Sequence, residues 1–143
     1  MIEFSINKAS LRSISKHLNK VNDLFVPVLS SYVNIDIYSK KIFEKADRIE
    51  FWKNEELVGL LAFYINPPNV FITNLSLDKI IHGLGYGVKM LDRLFEITKD
   101  KNIKKVSLEV NSMNQKAVNF YKSIGFEEFE ESDKNLRLIY TLK

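Results

Sequence analysis

The chain has 143 residues, 45% of them hydrophobic and 27% charged. Its 21 Lys and Arg stand against 18 Asp and Glu, giving a net charge of +3 and a pI near 9.0. That suits one globular domain with a sizeable core, and the mild, scattered basic excess suits a polyanionic small molecule better than nucleic acid. The lack of cysteine excludes disulfides, thiolate metal sites and a thiol nucleophile, so any group transfer is direct or uses another nucleophile. His17 and His82 have no metal-ligand spacing, and no metal is expected. No apolar run approaches the ~18 residues of a membrane span, and the start, MIEFSINKAS, has no apolar leader core, so no membrane partner is expected and the cytoplasm is the expected location.

Residues 2–6 alternate as a short strand. Over 7–22, Leu11, Ile14, Leu18 and Val21 fall at helical spacing, with Ser10 as a cap. An apolar stretch around Pro27 leads to a second helix over 36–46. Residues 48–53 and 56–65 read as a hairpin turning at Asn54–Glu55, and the loop signal Asn66-Pro67-Pro68-Asn69 leads to a strand over 70–77. The clearest helix spans 85–101, with Val88, Leu91, Leu94, Phe95 and Thr98 as its expected inner face. A strand over 106–110, a helix over 115–124 stopped by Gly125, and strands over 126–130 and 136–142 complete the chain. The order β-αα-βββ-α-β-α-ββ predicts a single α/β or α+β domain, residues 1–143, with a mixed sheet.

The organising stretch is LSLDKIIHGLGYG, residues 75–87, with the helix that follows. Gly83, Gly85 and Gly87 are three of only five glycines. A glycine-rich turn at a helix N-terminus offers unpaired N–H groups and partial positive charge to a phosphate, and it equally closes a tight turn. A Walker-type nucleotide loop is excluded, because no Lys-Ser/Thr follows the turn.

HGLGYG together with LEVNSMNQKAVNFYKSIGF, residues 108–126, resembles the GCN5-related N-acetyltransferase (GNAT) family. That family's motif, Gln or Arg, two residues, Gly, one residue, then Gly or Ala, aligns with His82, Gly83, Leu84, Gly85, Tyr86 and Gly87. Its later pattern, Asn-x-x-Ala-x-x-Phe-Tyr-x-x-x-Gly-Phe, is matched by Asn114, Ala117, Phe120, Tyr121, Gly125 and Phe126. The likeness is good over roughly 57–126 and limited to helix content before that. It implies a sheet of about six to seven strands with about four helices, splayed between the fourth and fifth strands.

The resemblance implies acetyl-CoA as acetyl donor and no metal. The pyrophosphate would lie on the turn Gly83, Leu84, Gly85, Tyr86, Gly87 and Val88. The pantetheine arm would follow Leu75, Ser76 and Leu77, and Asn114 would touch the cofactor, a residue that also reads as a helix N-cap. Tyr121 aligns with the general acid, and read alone it is a core aromatic. Glu109, in the segment LEV, resembles the general base of the branch that acetylates protein N-terminal amines; read alone it is a solvated strand residue. His82 departs from the family's Gln or Arg and weakens one phosphate contact.

The expected reaction is direct acetyl transfer to a primary amine of a small molecule, an amino sugar among the candidates. Acetylation of a protein N-terminal amine is the alternative, and a non-catalytic acyl-CoA-binding sensor is a third reading that Tyr121 and Glu109 argue against. The acceptor is expected near 25–38, with Phe25, Tyr32, Tyr38, Ser30 and Ser31 supplying apolar and hydroxyl groups. Dimers are common in the family, so a homodimer is an expected form.

Overall fold

The structure, a computed structural model, describes residues 1–142. Seven strands form one sheet: β1 (Glu3–Ile6), β2 (Asp47–Lys53), β3 (Glu56–Asn66), β4 (Asn69–Leu77), β5 (Lys105–Asn111), β6 (Glu127–Ser132) and β7 (Asn135–Thr141). Their spatial order is β1-β2-β3-β4-β5-β7-β6. Every pairing is antiparallel except β4 with β5, so the sheet is mixed as expected. Four helices flank it: α1 (Leu11–Val21), α2 (Ile35–Lys45), α3 (Tyr86–Thr98) and α4 (Gln115–Ile124).

The sheet separates two cores. On one face Ile14, Leu18 and Val21 of α1 and Ile42 of α2 pack on Leu57, Leu60 and Ala62 of β3. On the other, Met90, Leu91 and Leu94 of α3 and Val118 and Tyr121 of α4 pack on Ile49, Leu61, Phe63, Val70, Val106 and Leu138. This follows from strand alternation: neighbouring residues of β3 point to opposite faces, so one strand feeds both cores.

Local chemistry sets the element ends. Ser10 Oγ accepts from the Ser13 N–H at 3.1 Å and caps α1, and Asn34 Oδ1 does the same for α2 through Ile37 at 3.0 Å. The helix expected from residue 7 starts only at Leu11, because the N–H groups of Lys8 and Ala9 donate to the buried Glu50 carboxylate at 2.8 and 2.9 Å. Asn54 and Glu55 both take positive φ and close the β2–β3 hairpin where expected. The expected helix over 85–101 runs only Tyr86–Thr98, and its inner face is corrected: Gly87, Met90, Leu91, Leu94 and Thr98 are buried. Val88 is 45% exposed and Phe95 partly buried, because both lie on the flank of that stripe.

The feature that shapes the site is in β4. Ala62 pairs with Asn74 and Phe63 with Ile72, leaving Thr73 as an extra residue, a bulge. Before it, Val70 and Ile72 face the α3–α4 core; after it, Leu75 and Leu77 do. Asn74 and Ser76 are thereby turned to the α1–α2 face, where His17 of α1 meets Ser76. Pairing of β4 with β5 covers only Asn69–Ile72 against Lys105–Leu108. Beyond the bulge the two strands part, and the splay lies between the fourth and fifth strands as expected.

Candidate active site

The gap between β4 and β5 opens into a cleft of about 1030 Å³. Its walls are the second half of β4, the start of α3, the end of β5, α4, and the segment joining α1 to α2.

The β4 wall is an unpaired backbone edge. The Asp78 N–H donates to the Val58 carbonyl at 2.8 Å, which fixes the alternation of the β3–β4 ladder. Two residues back, Ser76 faces Leu60 and hydrogen-bonds toward β3. The backbone groups of Leu75 and Leu77 then point the other way, into the gap. Of the three β4 residues expected on this edge, Leu75 presents its N–H and carbonyl to the gap and Leu77 its N–H, the Leu77 carbonyl being taken by the His82 ring. The Ser76 side chain is instead buried on the opposite face.

At the next wall the chain turns through a 3-10 segment, Lys79–Ile81, into the glycine turn. Gly83 and Gly85 have φ of 74° and 80°, and no atom lies within 4 Å of where a Cβ would stand on either. This left-handed backbone favours glycine, and the space beside it is open. Helix α3 starts with Gly85 as a cap that has no side chain to offer. The Lys89 N–H closes the first helical bond, to the Gly85 carbonyl at 3.1 Å, so the N–H groups of Gly85, Tyr86, Gly87 and Val88 have no helical acceptor. No acidic residue lies in that first turn. Open space, unpaired N–H groups and the positive end of the helix dipole together fit a diphosphate.

Two positions of the turn do something else. Leu84 is 61% exposed and lies off the cleft wall. Gly87 is buried, and a Cβ on it would stand 2.9 Å from Phe120 Cζ, so its lack of a side chain serves the approach of α3 to α4 as well as the turn. The Tyr86 ring packs edge-on against Phe51 at 5.4 Å, leaving its backbone to the turn. His82 was expected as a weakened phosphate partner; its Nε2–H donates to the Leu77 carbonyl at 2.7 Å and ties the turn to the free edge.

Tyr121 and Glu109 both line the cleft, reached from opposite faces of the sheet. Tyr121 is 8% exposed, held edge-on between Phe120 and Phe126 at 5.2 and 5.4 Å. Burial pushes its phenol well above the ordinary tyrosine value, so it is protonated at neutral pH and able to give a proton to a developing anion. Glu109 sits on β5 opposite Arg137 of β7, exposed, with its neighbours Leu108 and Val110 turned to the α3–α4 core. Asn114 lines the cleft and caps α4, its Oδ1 accepting from the Ala117 N–H at 3.2 Å.

On the remaining side Phe25, Val26, Pro27, Tyr32 and Tyr38 border the cleft. The Tyr38 hydroxyl donates to the Thr73 carbonyl at 2.6 Å, tying α2 to the bulge. Burial pushes its phenol up. Ser30 and Ser31, expected here, are corrected: the Ser30 N–H donates to Asn22 Oδ1, the Ser31 hydroxyl to the Val28 carbonyl, and neither lines the cleft. Sequence reasoning passed over Asn74, a buried amide on the cleft wall. Nothing in VFITNLSL marks it, because Val70, Phe71 and Ile72 already break the alternation from which a change of face would be read.

Comparison with known proteins agrees with this geometry. Residues 21–126 match the model of the Acetyltransferase (GNAT) family. The chain is 29% identical over 121 residues to N-alpha-acetyltransferase 50 of Danio rerio, an alignment spanning 80% of this chain and 70% of that protein. Among solved structures, PH1933 from Pyrococcus horikoshii superposes with a TM-score of 0.82 at 20% identity, covering 100% of this chain and 99% of that one. The PaiA N-acetyltransferase of Thermoplasma acidophilum, solved in complex with coenzyme A, superposes with a TM-score of 0.76 at 14% identity, covering 98% and 99%.

Proposed function

The chain belongs to the GNAT acetyltransferase family, and from that premise we propose that it moves the acetyl group of acetyl-CoA directly to a primary amine of a small molecule. The observation that carries this reading is the continuity of one cleft from the uncapped start of α3, along the free edge at Leu75 and Leu77, to a buried protonated phenol. The turn at Gly83–Val88 would hold the pyrophosphate, and the Leu75 and Leu77 backbone the pantetheine arm. When bound, acetyl-CoA supplies an activated acyl carbon open to attack by a neutral amine. Glu109, at the mouth of the gap, takes the amine's proton, directly or through water. Tyr121 gives its proton to the departing sulfur and is restored from solvent. Placing the reactants in one confined groove supplies much of the remaining rate.

A second reading, the N-terminal amine of a polypeptide, is favoured by one feature. Val26, Pro27 and Tyr32 form an apolar lip that would suit a hydrophobic first residue. The likeness to an N-alpha-acetyltransferase points the same way.

The test is a calorimetric titration with acetyl-CoA, followed by thiol release across amino sugars, alkylamines, amino amides and N-terminal peptides. Binding with release on small amines supports the first reading. Release on peptides alone supports the second. Absence of binding refutes both.

A further inference from the structure

The mechanism leaves one buried polar group on the cleft wall unused. Asn74 is 3% exposed and stands just past the bulge, on the α1–α2 face. Its Oδ1 accepts from Ser76 Oγ at 2.8 Å, and Ser76 Oγ lies 2.9 Å from Nε2 of His17, itself buried under α1. Burial lowers the His17 pKa to about 4, so the ring is neutral near pH 7 and carries one proton. The Ser76 proton is committed to Asn74, so that ring proton sits on Nε2 and is donated to Ser76. With the carboxamide oxygen toward Ser76, the hydrogen bonds run from His17 to Ser76 to Asn74, and the NH2 group is turned away from Ser76. Asn74 Nδ2 has no hydrogen-bond partner. The Tyr38 hydroxyl gives its own proton to Thr73 and lies beside the Asn74 carboxamide; burial raises the phenol's pKa, and the carboxamide pulls it down by less. One N–H of the NH2 group faces the Tyr38 oxygen, and the second is left without an acceptor. An unpaired donor in a buried site is costly, and a two-link hydrogen-bonded support behind it is what a binding group requires.

We infer that the Asn74 NH2 anchors a neutral oxygen of the acceptor lying within a bond or two of the reacting amine. Such an oxygen is the carbonyl of an α-amino amide or the hydroxyl of a 1,2-amino alcohol. The enzyme then discriminates in favour of these amines and against plain alkylamines. His17 and Ser76 act as positioning residues. The inference deepens the transferase reading and rests on it for the reaction, though not for the geometry of the anchor.

Leucinamide and isoamylamine test it, since they share the amine and branched chain and differ by the carboxamide. Their basicities differ, but that difference cancels when the ratio of their kcat/KM values is compared between variants. Asn74→Ala should lower the leucinamide-over-isoamylamine ratio about tenfold, mainly through KM for leucinamide. Ser76→Ala should lower it partly, and Ser76→Thr, which keeps the hydroxyl, should preserve it. A ratio unmoved by Asn74→Ala overturns the inference. The second readout needs no turnover. In ¹⁵N-labelled protein with coenzyme A, the Asn74 side-chain NH2 signals, assigned by their loss in Asn74→Ala, should shift with leucinamide and not with isoamylamine. A shift without acetylation of either amine supports the anchor and refutes the transferase reading. Acetylation without a shift refutes the anchor alone, and absence of both refutes the two together.

Discussion

Tyr121 and Glu109 reach one cleft from opposite faces of the sheet, so each can be altered without disturbing the other's packing. Tyr121→Phe removes one hydroxyl and keeps the ring between Phe120 and Phe126. We expect kcat to fall about 10²-fold or more, the usual worth of a positioned proton donor, while coenzyme A affinity by calorimetry holds. Because burial raises this phenol, no loss of acid form is expected on the alkaline side near neutrality. Glu109→Gln should leave cofactor binding intact and move the acid limb of kcat/KM to higher pH, since the variant must wait for free amine from solution. Thiol release followed over about pH 6 to 9 measures this, and a profile superimposable on the parent removes Glu109 as the base. Both residues were legible in the sequence because a motif placed them. Asn74 was not. Its position on the wall depends on a bulge that only the pairing of β3 with β4 reveals.

At the level of elements, the approach of α3 to α4 depends on Gly87. A Cβ there would stand 2.9 and 3.3 Å from two carbons of the Phe120 ring. Gly87→Ala should destabilise the fold by about 1–3 kcal/mol in urea unfolding, the usual range for overpacking, and Phe120→Leu in the same chain should recover part of it. From sequence this glycine looked like part of the phosphate turn, because spacing along the chain carries no information about which helix packs above it. Where both end signals are local, the sequence sufficed. Helix α4 spans Gln115–Ile124 as expected, with Asn114 capping one end and Gly125, at φ 123°, closing the other. The start of α1 was misread because its first four expected residues are held outside the helix by Asn7 pairing and by Glu50, forty-odd positions away.

The molecule as a whole carries a pH dependence written into the α1–sheet contact. The folded-state pKa of His17 is near 4, against about 6.5 when unfolded. Below the unfolded value the open chain takes up a proton that the folded one refuses. The stability contributed by this group is full above about pH 6.5 and declines as pH falls, losing about 3 kcal/mol by pH 4. Unfolding free energies of the parent and His17→Gln, measured side by side over that window, should converge as the solution becomes more acid; parallel curves would show that His17 is not the group responsible. The bulge at Thr73 has a different kind of consequence. Residues 70 to 72 and 75 to 77 read as one strand in two phases, and the phase change is what lets a single segment seal the core at one end and open a groove at the other. The groove is therefore encoded in a count of residues rather than in their identities. A scan of substitutions would pass over this position, whereas deleting one residue would restore a single phase and should draw β4 back toward β5, closing the candidate site while every side chain proposed to work in it stays in the chain.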